Sequence, residues 1–208
     1  MIALLIIATF FAAILIDHLL LRRGVPIAAA TLPRPLARII GGFALRDNYR
    51  YHPGHTWAVA ETPNLVRVGV DDFAAKLAGN MEKIELPERG QWIRQGQQII
   101  GIDGLQLVSP IEGTVVDVNA NAAATKADPY GDGWLLTVNS PDAKTNFRNL
   151  LGGTAARRWL DDAAARLRAF TAIPQGAYAQ DGGIAVDNIL KNLDEADVKK
   201  LNAEFFAN

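Results

Sequence analysis

A run of short apolar segments, separated by proline and glycine corners between Tyr51 and Val138, restricts the fold more than any other feature. WAVAET and VRVGV alternate apolar and polar residues on either side of Pro63–Asn64, which predicts a β-hairpin. Further corners are marked by Pro87, Gly90, Gly96, Pro110 and Gly113. LPERGQWIRQGQ and VSPIEGTVVDVN repeat one pattern of proline, glycine and strand. Together these patterns predict a small barrel or sandwich built from two similar halves.

Helical periodicity is confined to three places. DDFAAKLAG predicts a short helix that Asp71 or Asp72 caps and Gly79 ends. TAARRWLDDAAARLRAF predicts a longer helix that Thr154 can cap, and the last residues predict one bent helix or two short helices split near Asp194. The apolar stripe of the last helices is Ile189, Leu190, Leu193, Val198, Leu201 and Phe205. Such a stripe packs either on the protein's own core or on a partner.

The segment IIGIDGLQLV, residues 99–108, predicts a second hairpin with a two-residue turn. Asp103–Gly104 between two apolar runs is a strong signal for a type I′ turn, in which both positions take positive φ. The predicted register pairs Ile102 with Leu105 and places Ile100 opposite Leu107.

Five stretches, in order, resemble the H-protein of the glycine cleavage system, which is a lipoate carrier. They are YHPGHTWA, VRVGVDDFAAKLAG, EKIELPERGQWIRQGQ, SPIEGTVVDVN and DPYGDGWLLTV. The resemblance implies a mainly β barrel-sandwich hybrid of the lipoyl/H-protein type over residues 51–152. Outside these residues, the sequence predicts a C-terminal extension of α-helices over residues 153–208 and an N-terminal transmembrane helix over residues 1–23.

The resemblance fails at the position that carries the cofactor. In the family, lipoate is attached to a lysine in a Glu-Ser-x-Lys sequence at a hairpin tip, whereas Asp103 and Gly104 form the tip here. The sequence has no lysine between Lys83 and Lys126. We interpret Lys76, Lys83 and Lys126 as surface residues. We therefore predict no catalytic residue and no bound cofactor, lipoate included.

The N-terminal stretch MIALLIIATFFAAILI has no charged residue. Ile2–Leu21 spans roughly 20 residues, the length of a helix that crosses the hydrocarbon core. A signal peptide cleaved near Ile27–Thr31 is the alternative, but no basic residue precedes the apolar run. We therefore predict a transmembrane anchor over residues 1–23.

Residues 24–50 are predicted to form a basic linker, because Pro26, Pro33 and Pro35 interrupt any long helix. Within it, LARIIGGFALR is interpreted either as a short interfacial helix or as a loop that only sets topology. Arginines follow the apolar run and none precedes it, so the positive-inside rule predicts a single-pass protein of the cytoplasmic (inner) membrane with its soluble domain in the cytoplasm. Asp17–His18 would lie among headgroups or against another transmembrane subunit.

The sequence gives little support for disulfides, metal sites or nucleic-acid binding. The chain has no cysteine, which excludes disulfides and thiolate metal sites, and its net charge of −1 gives no sign of nucleic-acid binding. His52 and His55 lie three residues apart, but no third ligand lies at suitable spacing, so we predict no metal site. Asp132 is interpreted as a turn residue.

These features predict a non-enzymatic accessory or scaffold subunit of a larger membrane complex, respiratory or photosynthetic for example. Its N-terminal helix would contact integral-membrane subunits, and its C-terminal helices would bind protein partners. Two alternatives stay open. One is a carrier of one-carbon or lipoate metabolism with an unconventional attachment site. The other is a membrane-fusion-type adaptor, which the tight Asp103–Gly104 turn and the arginine bias disfavour.

Overall fold

A computed structural model describes residues 37–171 and 189–206, all of which belong to one compact unit, Pro35–Asn208. The predicted transmembrane anchor, residues 1–23, lies outside the described residues. Within the described part of the chain, every helix is too short or too polar to cross a bilayer.

The first described element is a hairpin, β1 (Arg38–Ile40) paired with β2 (Phe43–Leu45). Gly41 and Gly42 connect the strands with φ of 58° and 97°. The prediction of a short interfacial helix in this part of the linker (residues 24–50) is therefore wrong. Two adjacent glycines at positive φ favour a tight turn over a helix, and both ends of β2 are fully buried in the core.

Two sheets make up most of the domain, as the pattern of short strands predicted. The larger has the order β3-β4-β5-β11-β10-β7, which are Arg50–His52, Thr56–Ala60, Leu65–Val70, Leu136–Asn139, Gly113–Val118 and Trp92–Ile93. The smaller has the order β6-β8-β9, which are Ile84–Glu85, Gln98–Ile102 and Leu105–Val108. The predicted hairpin of WAVAET and VRVGV is confirmed as β4–β5.

The helices are α1 (Asp72–Ala78), α2 (Ala143–Arg148), α3 (Gly153–Thr171) and α4 (Glu195–Leu201), which continues as a π-helical turn, Asn202–Phe206. Short 3-10 segments cover Ala122–Lys126 and Ile189–Asn192. Two of the predicted caps are confirmed, because Asp71 accepts a hydrogen bond from the Ala74 amide and Asp194 accepts one from the Asp197 amide. The prediction that Thr154 caps α3 is wrong, because the helix begins at Gly153, with φ of 54°, and Thr154 lies inside it.

The C-terminal apolar stripe packs on the protein's own core. Leu201, Phe205 and Phe206 are buried, and Ile189, Leu193 and Val198 pack against the same core cluster. Of the two interpretations of this stripe, the structure therefore shows the internal one. The alternative, that these apolar residues form a surface for a partner, is wrong, because their side chains already pack against the protein's own core.

Asp47 joins the β1–β2 hairpin to α3. Its Oδ2 accepts a hydrogen bond from Arg38 Nε at 2.8 Å, and its Oδ1 accepts one from Arg157 Nη2 at 3.0 Å. The hydrogen bond from Arg38, followed by the contacts of Arg157, lowers the pKa of Asp47 below its ordinary value of 3.8.

We expect Asp47→Asn to destabilise the domain at neutral pH by less than about 1 kcal/mol, because the carboxylate is 39% exposed. A lowered folded-state pKa means that the ion pair stabilises the fold above the unfolded pKa and that this stabilisation is lost as the pH falls through the folded pKa. Urea denaturation at several pH values should show the difference from wild type shrinking below about pH 4. A difference independent of pH would contradict this assignment.

Candidate functional site

The tip of the β8–β9 hairpin occupies the position at which the family resemblance places a carrier arm. Asp103 and Gly104 have φ of 48° and 94°, and Ile102 pairs with Leu105. The predicted two-residue turn is confirmed, and so is its register, which also pairs Ile100 with Leu107. Positive φ at both central positions is the type I′ requirement.

The Asp103 side chain fastens this turn to the neighbouring strand. Its carboxylate accepts hydrogen bonds from the Glu82 amide at 3.1 Å and the Lys83 amide at 2.7 Å. The Asp103 amide in turn donates to the Lys83 carbonyl at 2.9 Å. The turn is therefore joined by three hydrogen bonds to the two residues that precede β6, which limits its freedom to move as an arm.

Those bonds also bring a lysine to the tip of the hairpin. Lys83, which the sequence analysis interprets as a surface residue, has a side chain 77% exposed beside the Asp103 turn. Its Nζ lies 2.9 Å from Glu85 Oε1, and that hydrogen bond raises the pKa of Lys83. Lys76 and Lys126 bond elsewhere, to the Gly42 carbonyl and the Asn80 side chain.

The open edge of β9 is covered by the end of the chain, Glu195–Phe206, which we call the C-terminal cover. Asn202 makes both polar contacts with the hairpin. Its Oδ1 accepts a hydrogen bond from the Gln106 amide at 2.8 Å, and its Nδ2 donates to the Gly104 carbonyl at 2.9 Å. This side chain therefore pairs an edge-strand amide that would otherwise face water.

We expect Asn202→Ala to lower the free energy of unfolding by about 1–2 kcal/mol, because two hydrogen bonds across the cover are lost. Hydrogen exchange of the Gln106 amide should become faster. Lys199→Ala is the matched control, since Lys199 on the same cover makes only an exposed ion pair with Glu195. Equal exchange rates at Gln106 in both variants would contradict the proposed contact.

The HPGH stretch contains His52 and His55, and both imidazoles make hydrogen bonds. His52 Nδ1 accepts a hydrogen bond from the Gly54 amide at 3.0 Å, and burial lowers the pKa of His52. His55 Nδ1 lies 2.8 Å from Asp71 Oδ2. Within residues 37–171 and 189–206, there is no group of three or more side chains suited to holding a metal ion. The two histidines have different partners.

His55 is the most unusual of these residues. It is fully buried with φ of 61°, and its Nε2 has no hydrogen-bond partner among the described residues. Phe73 stacks on the imidazole with ring centroids 4.0 Å apart, and Trp159 lies at 4.7 Å. The cover contributes Phe206 at 5.5 Å and Phe205 at 6.4 Å. We call these four rings the aromatic cage.

The DPYGDGW stretch, Asp128–Trp134, has a structural role. The Pro129 carbonyl accepts a hydrogen bond from the buried Trp57 indole at 3.1 Å. Tyr130 donates its hydroxyl to the Ala44 carbonyl at 2.7 Å, and burial raises its pKa well above 10. Asp132 lies in a turn, as predicted. The loop therefore closes one end of the core.

The comparisons with known proteins agree on one family. The family model described as glycine cleavage H-protein matches residues 49–163. The glycine cleavage system H protein of Prochlorococcus marinus is 30% identical over 117 residues, which cover 52% of this chain and 90% of that protein. The probable glycine cleavage system H protein of Aeropyrum pernix is 31% identical over 117 residues, which cover 52% of this chain and 80% of that protein.

One solved structure is also similar. The glycine cleavage system H protein from Mycobacterium marinum aligns with a TM-score of 0.47 and 24% identity, covering 57% of this chain and 98% of that chain.

Proposed function

The chain belongs to the glycine cleavage H-protein family, and we propose that it acts as a non-catalytic docking subunit of a membrane complex, without lipoate on its β8–β9 hairpin. Members of this family are carrier proteins rather than enzymes. The observation that carries the proposal is the closed hairpin tip, where Asp103–Gly104 replaces a lysine-bearing loop and both sides of the turn are bonded.

A carrier arm needs an exposed primary amine on a segment that can swing between partners. Here the turn contains no amine, and Asp103 bonds it to the two residues that precede β6. On the other side, Asn202 bonds the Gly104 carbonyl. The chain keeps the core of the family, but hydrogen bonds hold both sides of its hairpin turn. This combination supports a role in binding other proteins and not in carrying a cofactor.

The membrane part of the proposal rests on sequence. The predicted anchor, residues 1–23, begins with the uncharged run MIALLIIATFFAAILI, and the arginines that follow this run support a single span of the cytoplasmic membrane with the domain on the cytoplasmic side. The apolar stripe of the C-terminal helices is covered, so contacts of these helices with a partner would use their charged outer face. Glu195 and Lys199 on that face are 88% and 76% exposed.

The proposal is tested by purifying the tagged full-length chain from gently solubilised membranes and identifying the proteins that co-purify. We expect integral-membrane subunits in fixed stoichiometry and an intact mass without a lipoyl adduct. Recovery as a free monomer in mild detergent would contradict the docking role. Recovery with soluble glycine-cleavage enzymes and a lipoyl mass would replace it by the second candidate.

The second candidate is a carrier that uses an unconventional lysine, and the position of Lys83 favours it. This exposed amine lies beside the hairpin tip although it is 20 residues away from Asp103 in sequence. Lys83→Arg keeps the charge but removes the acylation site. If this candidate is correct, a lipoyl adduct disappears in Lys83→Arg and persists in the matched variants Lys76→Arg and Lys126→Arg. An unmodified wild-type chain excludes it.

A further inference from the structure

We propose that the aromatic cage around His55 is a binding site for an aromatic ring that carries an O–H or N–H donor, such as a phenol or an indole. Phe206 of the C-terminal cover fills the site when that ligand is absent. The observation behind the proposal is a buried, oriented hydrogen-bond acceptor that is surrounded by aromatic rings and is left without a donor.

The position of the Nδ1 proton of His55 follows from its partner. The Asp71 carboxylate accepts a hydrogen bond, so the Nδ1 atom 2.8 Å away carries the proton. In the neutral ring Nε2 is then a lone-pair acceptor. Asp71 is itself fixed as the cap of α1, which holds the imidazole in one orientation.

The unpaired Nε2 acceptor of His55 destabilises the folded state. A buried polar atom without a partner is destabilising, and a positive φ at a residue other than glycine adds strain. Residues that combine such features tend to lie at functional sites. No described residue donates to Nε2, and phenylalanine has no donor to offer. The C-terminal cover therefore fills the space without completing its hydrogen bonding.

The rings around His55 differ in how firmly they are held. Phe73 begins α1, and Trp159 lies in the long helix α3, so both are part of the domain. Phe206 belongs to the C-terminal cover, whose helix α4 has seven residues and is too short to be stable without packing. Among the described strands, none is contributed by the cover.

The polar contacts that hold the C-terminal cover are peripheral. Asn202 bonds the hairpin, and Glu204 pairs with Arg166 at 2.8 Å with both side chains nearly half exposed. Arg166 also lies over the Phe205 ring at 5.1 Å. Phe206 packs edge-on to His55 at 5.5 Å, so it is the ring that a ligand would replace.

Close approach of the cover to the HPGH turn depends on Gly54. A Cβ at this position would lie 3.1 Å from the Phe206 carbonyl oxygen and 2.9 Å from Val108 Cγ2. The turn that presents His55 therefore also leaves room for the segment that closes the cage.

The chemistry of the site is tested with Phe206→Ala in the full-length chain, using p-cresol and toluene as probes in calorimetric titrations. A cavity with only apolar walls prefers toluene, because burial of an unpaired hydroxyl is unfavourable. If Nε2 accepts the hydrogen bond of the hydroxyl, p-cresol should bind about 2- to 12-fold more tightly than toluene. Equal binding, a preference for toluene or no binding to the folded variant would overturn the proposal.

Two controls keep this test decisive. If the alanine variant does not fold, Phe206→Leu removes the ring while keeping an apolar side chain, and the same pair of probes applies. In the background of His55→Phe, which keeps a ring but removes the acceptor, the preference for p-cresol should disappear. A preference that survives there would place the acceptor elsewhere and overturn the assignment to His55.

A second experiment, with the wild-type full-length chain, tests whether the aromatic ligand is a free small molecule or a segment of a partner protein. The probes are p-cresol and a peptide of the sequence Glu195–Phe206 that carries Phe206→Tyr, with the unsubstituted peptide as control. Binding of p-cresol supports a free small molecule as the ligand. Binding of the tyrosine peptide alone, more tightly than the control, supports a partner's segment. If neither binds, Phe206 is a permanent part of the core and the proposal fails.

Discussion

Asp71→Ala is expected to lower the free energy of unfolding by about 2–4 kcal/mol. Asp71 is 1% exposed, and its two oxygens have separate tasks. Oδ1 caps α1 by accepting from the Ala74 amide at 2.9 Å, and Oδ2 accepts from His55 Nδ1. Alanine would leave a helix amide and a buried imidazole N–H without partners. Urea denaturation followed by circular dichroism measures the loss.

Asp142→Ala is the matched control for this change. Asp142 also stands at a helix N-terminus, that of α2, but its side chain makes no capping hydrogen bond, so the variant should lose less than about 0.5 kcal/mol. Asp71→Asn keeps one acceptor oxygen and should fall between the two. If Asp71→Ala were no worse than Asp142→Ala, the buried pair would have no measurable role in stability.

The contact between Asp71 and His55 could have been predicted from the sequence. The β4–β5 hairpin was predicted, and its register pairs Thr56 with Val70. The next residues outward are His55 and Asp71, so the hairpin itself brings them together. The spacing of His52 and His55 gives no sign of this contact, because the contact depends on pairing across the hairpin and not on local spacing.

The position of Lys83 beside the hairpin tip was beyond sequence reasoning. It depends on the pairing of β6 with β8, in which Ile84 lies opposite Ile102. β6 has two residues, too few for a periodic pattern, and its partner lies beyond another strand. The tip itself was predictable, because Asp103–Gly104 turn chemistry is local.

The packing of the C-terminal cover could not be predicted from the sequence, for a different reason. Its capping residue Asp194 and its apolar positions were predicted from helical spacing, but periodicity does not specify what covers an apolar face. That choice depends on how well the rings fit a surface built from distant residues, here Phe73 and Trp159. The β1–β2 hairpin differs from the cover in having a local signal, because two adjacent glycines, Gly41 and Gly42, favour a tight turn over the predicted interfacial helix.

Gly133→Ala is expected to destabilise the domain by about 3–5 kcal/mol. A Cβ on Gly133 would overlap the Thr125 Cα, and it would lie 2.6 Å from the Thr125 nitrogen and 2.5 Å from the Asp128 carbonyl oxygen. All three atoms belong to the backbone, so no side-chain rotation relieves the overlap. The Gly133 carbonyl also accepts a hydrogen bond from Thr125 Oγ1 at 2.7 Å, which fixes the two segments against each other.

The control for Gly133→Ala is Gly90→Ala. Gly90 has φ of 88°, and a Cβ there would meet nothing within 4 Å, so this variant reports the conformational penalty alone, about 1 kcal/mol. Thermal unfolding should therefore separate the two variants clearly. The loop that contains Gly133 also receives the Trp57 indole, so tryptophan fluorescence should shift in Gly133→Ala only. Equal losses in the two variants would show that this loop yields to accommodate a methyl group, and that the tight packing of the DPYGDGW stretch contributes little to stability.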